Sequence, residues 1–156
     1  RYVASGGELG LIRSRLGTFG VLICEDAWHS ILPTLCAVAG ATVLLVPSAS
    51  PARGFGGELP DNLDRYRRLL RGLAEEHGVY CLNAMLTGFE GGKGFVGGSA
   101  IFDPFGQMLA ESPVLRDGLV MAEIDPEKVV LARAQQPLLN DLQSAWPDLL
   151  RIASRL

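Results

Sequence analysis

The chain has 156 residues, about half of them hydrophobic and one fifth charged, enough for one domain with a real core and unlike a disordered segment. A net charge of −3 argues against nucleic-acid binding, which needs a basic surface, and no apolar run reaches the ~18 residues that span a bilayer. Three scattered cysteines, no Cys-x-x-Cys pair and two histidines argue against a disulfide framework or a zinc site, so a reducing, cytoplasmic setting is expected.

Leu9 to Arg15 reads as a strand that turns at Leu16-Gly17 into a second, apolar strand ending at Cys24. The segment Phe19-Gly20-Val21-Leu22-Ile23-Cys24-Glu25-Asp26-Ala27-Trp28-His29 is the most informative in the chain. It carries a thiol to a strand end, where the chain abruptly becomes acidic and aromatic. Chemistry in layered α/β folds gathers at such ends, which places Cys24 like a nucleophile; free cysteine is also a common core residue, and position alone does not separate the two. Ser30 is expected to cap a short helix through Ala39, closed by Gly40, with Cys36 in the core. Thr42 to Val46 reads as a buried strand closed by Pro47.

Ser48 to Pro60 is a Gly-, Pro- and Ser-rich loop of the length of a lid or rim. Asp61 or Asn62 should cap an amphipathic helix to about His77, its inner stripe Leu63, Tyr66, Leu70, Leu73 and Ala74, and its arginines solvated with Glu75 and Glu76. Gly78 stops it, and Val79 to Met85 reads as a strand in which Cys81 packs. Thr87 to Gly98 reads as a second glycine-rich loop. Asp103-Pro104-Phe105-Gly106 turns a hairpin between Ser99–Phe102 and Gln107–Ala110. Leu119 to Ile124 is expected as a last strand, Asp125-Pro126 as the start of a last helix, and residues 137–156 as a tail docked on a neighbour. The order β-β-α-β-α-β-β-β-β-α implies an α/β (α+β) layered sandwich. Gly92-Lys93-Gly94-Phe95-Val96-Gly97 matches a dinucleotide fingerprint in letters, but no helix follows it, so that reading is set aside.

Several of these stretches, in order, resemble the nitrilase (carbon–nitrogen hydrolase) superfamily. Gly20 to Trp28 is similar to its nucleophile motif, in the Cys-Glu-Asp-x-Trp form of the glutaminase domains of NAD synthetases and related bacterial amidases. Val46 to Ser50 resembles the strand end bordering the pocket, Arg71 to Tyr80 the helix-to-strand joint, Gly97 to Gly106 the Gly-Gly-Ser and Asp-Pro-x-Gly hairpin, and Ala122 to Asp125 the approach to the last helix. His77 stands where many members have Asn, and Leu73 where many have Arg.

The resemblance implies a four-layer α-β-β-α sandwich and cysteine-dependent hydrolysis of a small amide or nitrile through a thioester, with no cofactor or metal. Cys24 would be the nucleophile and the Glu25 N–H the oxyanion donor, with Trp28, Ser48 and Ala49 along the pocket. The family's base Glu and its Lys lie before the cysteine, where this chain has only Glu8 and no lysine among 23 residues. Residues 1–156 therefore resemble the C-terminal portion of one such domain, completed by an N-terminal segment or complementing chain and paired as a homodimer. The other reading is a nitrilase-like structural module that has lost its base and lysine. Glu25, Asp26, Lys93 and His29 are the nearest substitutes for those groups, and they read instead as turn, solvated-loop and helix-start residues.

Overall fold

The computed structural model describes residues 4, 6–54 and 59–156. Its frame is a six-stranded mixed sheet in the order β1-β2-β3-β4-β7-β8. β1 (Gly10–Ser14) and β2 (Gly17–Val21) form the expected hairpin, in register Ser14 to Gly17. β2, β3 (Val43–Ser48) and β4 (Tyr80–Met85) run parallel, joined by α1 (Ile31–Val38) and α2 (Asp61–His77). β7 (Ala100–Phe102) and β8 (Met108–Glu111) close the other edge as an antiparallel hairpin. Asp103 fixes that turn by accepting the N–H groups of Phe105 and Gln107 at 3.0 Å each.

The alternation of β3 explains both faces of the sheet. Leu44 and Val46 point into the main core with Cys81, Ala100 and Phe102, beneath Leu70, Leu73 and Ala74 of α2 and Cys36 of α1. Gly20 is required there, because a Cβ would lie 2.9 Å from Cys36 Cβ and from Leu44 Cδ2; its absence lets α1 approach the sheet. The opposite face carries Val43 and Tyr80, covered at one end by Val129 of α3 (Pro126–Gln135). Beyond that end, Leu45, Pro47, Leu82, Ile101 and Leu119 line an open groove of about 490 Å³.

The structure moves several expected boundaries. The second strand ends at Val21 and not at Cys24, and Cys24–Trp28 is a 3-10 helix. Pro47 lies inside β3, facing the side where β2 has already left the sheet, so its missing N–H costs no ladder bond. The N-cap of α2 is Pro60, one residue before the pair expected to cap it. Thr87 to Gly98 contains a ribbon, β5 (Thr87–Glu90) and β6 (Lys93–Val96), turned by Gly91 and Gly92, both at positive φ as a two-residue hairpin loop demands.

Leu119 to Ile124 has strand-like residues but pairs with no strand among the described residues, and Leu119 and Met121 are largely exposed. A strand exists through its ladder, and here the partner is missing. The expected tail is a helix, α4 (Leu138–Ala153), which contains Pro147 and packs on α1, α2 and α3 while leaving Leu149, Leu150 and Ile152 exposed. No described helix is long and apolar enough to cross a membrane.

His77, at the end of α2, is buried with Nε2 lacking any hydrogen-bond partner. Burial holds its pKa below the ordinary histidine value; Arg133 pushes the same way and Glu76 opposes. The unfolded chain therefore binds the proton more readily than the folded one, and folding stability is lost as pH falls below about 6.5. Urea denaturation at pH 7.5 and 5.5 should show a larger acid loss in the native protein than in a His77→Gln variant; equal losses would contradict it.

Candidate active site

The approach to Cys24 is set by three backbone events. Leu22 N–H still donates to Leu45 O, at 2.9 Å, holding the chain against β3 one residue beyond β2. Asp26 then locks the turn, its Oδ2 accepting from Ile23 N–H at 2.9 Å and its own N–H donating to Ile23 O at 3.1 Å. Between them Cys24 takes φ 52°, in the left-handed region that non-glycine residues enter only at a cost. The chain thus reverses within one residue and presents the thiol at the turn.

The sulfur meets α2. Cys24 Sγ lies 3.3 Å from the Tyr66 hydroxyl, its hydrogen-bond partner among the described residues. Tyr66 is buried in the apolar stripe of the helix with Leu63, Leu70 and Leu73. The Trp28 ring packs edge-on against it, with centroids 5.1 Å apart and an interplanar angle of 87°. The Arg65 guanidinium carbon lies 5.2 Å from the Trp28 ring centroid. Burial, then the contact with Cys24, raises the Tyr66 pKa, so the phenol keeps its proton at neutral pH.

These groups border a pocket of about 450 Å³, whose wall includes Cys24, Glu25, Trp28, Ala49, Arg53 and Tyr66. Asn62 shapes its rim: Nδ2 donates to Ser50 Oγ and Pro51 O, both at 3.0 Å, and Oδ1 accepts from Arg53 N–H at 2.9 Å. The rim is thereby tied to the first turn of α2. Phe55 to Glu58, part of the expected lid loop, lie outside the described residues.

Of the sequence-expected pocket residues, Trp28 and Ala49 line the cavity with Cys24 and Glu25. Ser48 is buried beside it, its Oγ 3.4 Å from Val46 O and 3.3 Å from Asn83 Nδ2. The other charged groups near the motif, and both lysines, stand apart. The Asp26 carboxylate is engaged by the turn, and His29 Nε2 faces Glu25 Oε1 at 3.7 Å on the exposed surface. Lys93 sits in the ribbon opposite Glu90, and Lys128 pairs with Asp103 at 3.3 Å. Burial pushes the Cys36 and Cys81 thiols up, which keeps both protonated and inert.

Sequence reasoning passed over Tyr66 and Asn62. Tyr66 was counted as core; the overlooked signal is a phenol hydroxyl on an otherwise aliphatic helix face, which demands a partner once buried. Asn62 was read as a cap, and its side chain instead serves the loop. Among the described residues no three His, Cys, Asp or Glu side chains cluster as a metal site.

A sequence model described as carbon-nitrogen hydrolase matches residues 1–134. The chain is 33% identical to a deaminated glutathione amidase of Escherichia coli O157:H7 over 96% of its own length and 53% of the relative's. It superposes on a carbon-nitrogen hydrolase of Helicobacter pylori G27 with a TM-score of 0.81 at 27% identity, covering 94% of this chain and 54% of that one. A second similar structure is a mutant amidase from Nesterenkonia sp. AN1, described as showing covalent addition of the acetamide moiety of fluoroacetamide at its active site cysteine. There the TM-score is 0.66 at 25% identity, over 89% of this chain and 49% of the other. The chain thus spans about half the length of each of these proteins.

Proposed function

The chain belongs to the carbon-nitrogen hydrolase family, and from that premise we propose that it is the thiol-bearing portion of an enzyme that hydrolyses a small amide through a thioester on Cys24. The observation that carries the proposal is the Cys24 sulfur, held at a left-handed turn on the wall of a 450 Å³ pocket. Amide fits better than nitrile because the relatives are amidases by name.

In the proposed cycle the Cys24 thiolate attacks the amide carbon. The carbonyl π electrons move to oxygen, where the Glu25 N–H is assigned to stabilise the developing charge. The C–N bond then breaks, the nitrogen leaves with a proton as ammonia or an amine, and water releases the acid from the thioester. Trp28 and Ala49 bound the space for the acyl group, with Ser48 supporting the wall from beneath.

No described carboxylate or ammonium makes a hydrogen bond to the sulfur. The proton-moving carboxylate and the oxyanion-binding ammonium are therefore assigned to the remaining portion of the domain, as an upstream segment or a complementing chain. The uncovered apolar groove of the sheet supports its docking there. The exposed Leu149, Leu150 and Ile152 of α4 support pairing of two copies through that helix.

The test is peptide mass spectrometry on the intact protein, acid-quenched after exposure to butyramide or fluoroacetamide. An acyl group from the first and an acetamide group from the second are expected on Cys24. Labelling of Cys36 or Cys81 in its place, or no label at all, defeats the assignment.

A further inference from the structure

We propose that Tyr66 activates and aims the reactive sulfur, its phenol donating its single proton to Cys24 Sγ and holding the thiolate toward the pocket. The purpose of this contact rests on the hydrolase reading above, but its existence can be tested without turnover.

The direction of the hydrogen bond follows from proton counting. The Tyr66 oxygen lies 3.3 Å from the sulfur, and burial keeps the phenol protonated. A thiolate carries no proton, so once Cys24 is ionised the bond can run only from the Tyr66 O–H to the sulfur.

The geometry gives that donor a fixed address. Tyr66 is anchored in the buried stripe of a 17-residue helix, and Trp28 packs edge-on against its ring. On the other side, the turn locked by Asp26 fixes the backbone that carries the sulfur. A phenylalanine would fill the same volume and complete the same stripe, so the hydroxyl is an addition that packing alone does not call for. A hydrogen bond given to the charged form of an acid favours that form. Tyr66 thus raises the thiolate fraction of Cys24, and the bond keeps the sulfur from swinging away from the pocket.

The test follows the rate of Cys24 alkylation by iodoacetamide against pH, read by mass spectrometry so that Cys36 and Cys81 do not contribute. In Tyr66→Phe the midpoint should rise by about one pH unit, a roughly tenfold loss of thiolate below it. In Tyr66→3-fluorotyrosine, which is nearly isosteric and a stronger donor, the midpoint should fall. The second variant keeps the test sound if the first loosens the helix. An unmoved midpoint in the fluorinated protein overturns the proposal, as does a midpoint that falls in Tyr66→Phe, since the phenol would then be accepting from the thiol. If butyramide leaves no acyl group on Cys24 while both midpoints shift as stated, the hydrolase reading fails and the Tyr66 contact stands.

Discussion

Cys24→Ala should abolish covalent capture from butyramide and lower amide hydrolysis by the intact protein about 10⁴-fold or more, with its folding largely preserved. The magnitude follows from the role: removing a nucleophile takes away the covalent route and leaves whatever the pocket and its hydrogen-bond donors achieve alone. The selectivity is equally specific. Cys36 and Cys81 are fully buried, and their thiols are held protonated by that burial. Cys36→Ala and Cys81→Ala should therefore keep the label on position 24 and differ from the native protein in stability only. Steady-state rates and adduct masses for the three variants give the check. Persistent hydrolysis in Cys24→Ala would show that the thiol is not the nucleophile.

Leu70→Ala should cost about 2–5 kcal/mol of folding stability, the range for truncating a fully enclosed leucine and leaving a cavity. Leu70 is 1% exposed and stands in the core beneath α2, one helical turn after Tyr66. For a chain of this size the loss corresponds to a fall in Tm of roughly 5–15 °C. Val130→Ala is the control, because that residue is 70% exposed on α3 and should change stability by about 0.5 kcal/mol or less. Calorimetry or thermal circular dichroism on both variants decides it. Equal shifts would mean that α2 is not the packing anchor of the sheet.

The parts of the fold set by hydrophobic period and by punctuation were legible in the sequence. The stripe on α2, the stop at Gly78, the Asp103 turn and the Asp125-Pro126 start all depend on residues within one turn of each other. The failures share a physical cause, which is that a partner far along the chain decided the outcome. Gly91-Gly92 looks like loop until the two flanking stretches pair as a ribbon. Leu119 to Ile124 has a strand's composition but lacks a neighbour to bond. Pro147 suggests a broken tail, yet α4 continues through it while packing on three other helices.

The site divides along the same line. Cys24 and Trp28 could be singled out because their motif is contiguous, and Ala49 was expected because Val46 to Ser50 resembles the family's pocket border. Tyr66 is 42 residues away from Cys24, and only the fold brings its hydroxyl to the sulfur. Asn62 was noticed for the wrong reason, since its side chain reaches back 9 to 12 residues to the rim.

The left-handed backbone at Cys24 has an evolutionary corollary. A side chain at that φ costs roughly 1–2 kcal/mol that glycine would not incur. Selection of a mutant library for heat tolerance alone should therefore enrich Cys24→Gly, whereas any selection that requires chemistry should purge it. Under the proposed role of Cys24, the fold and the reaction pull this one codon in opposite directions.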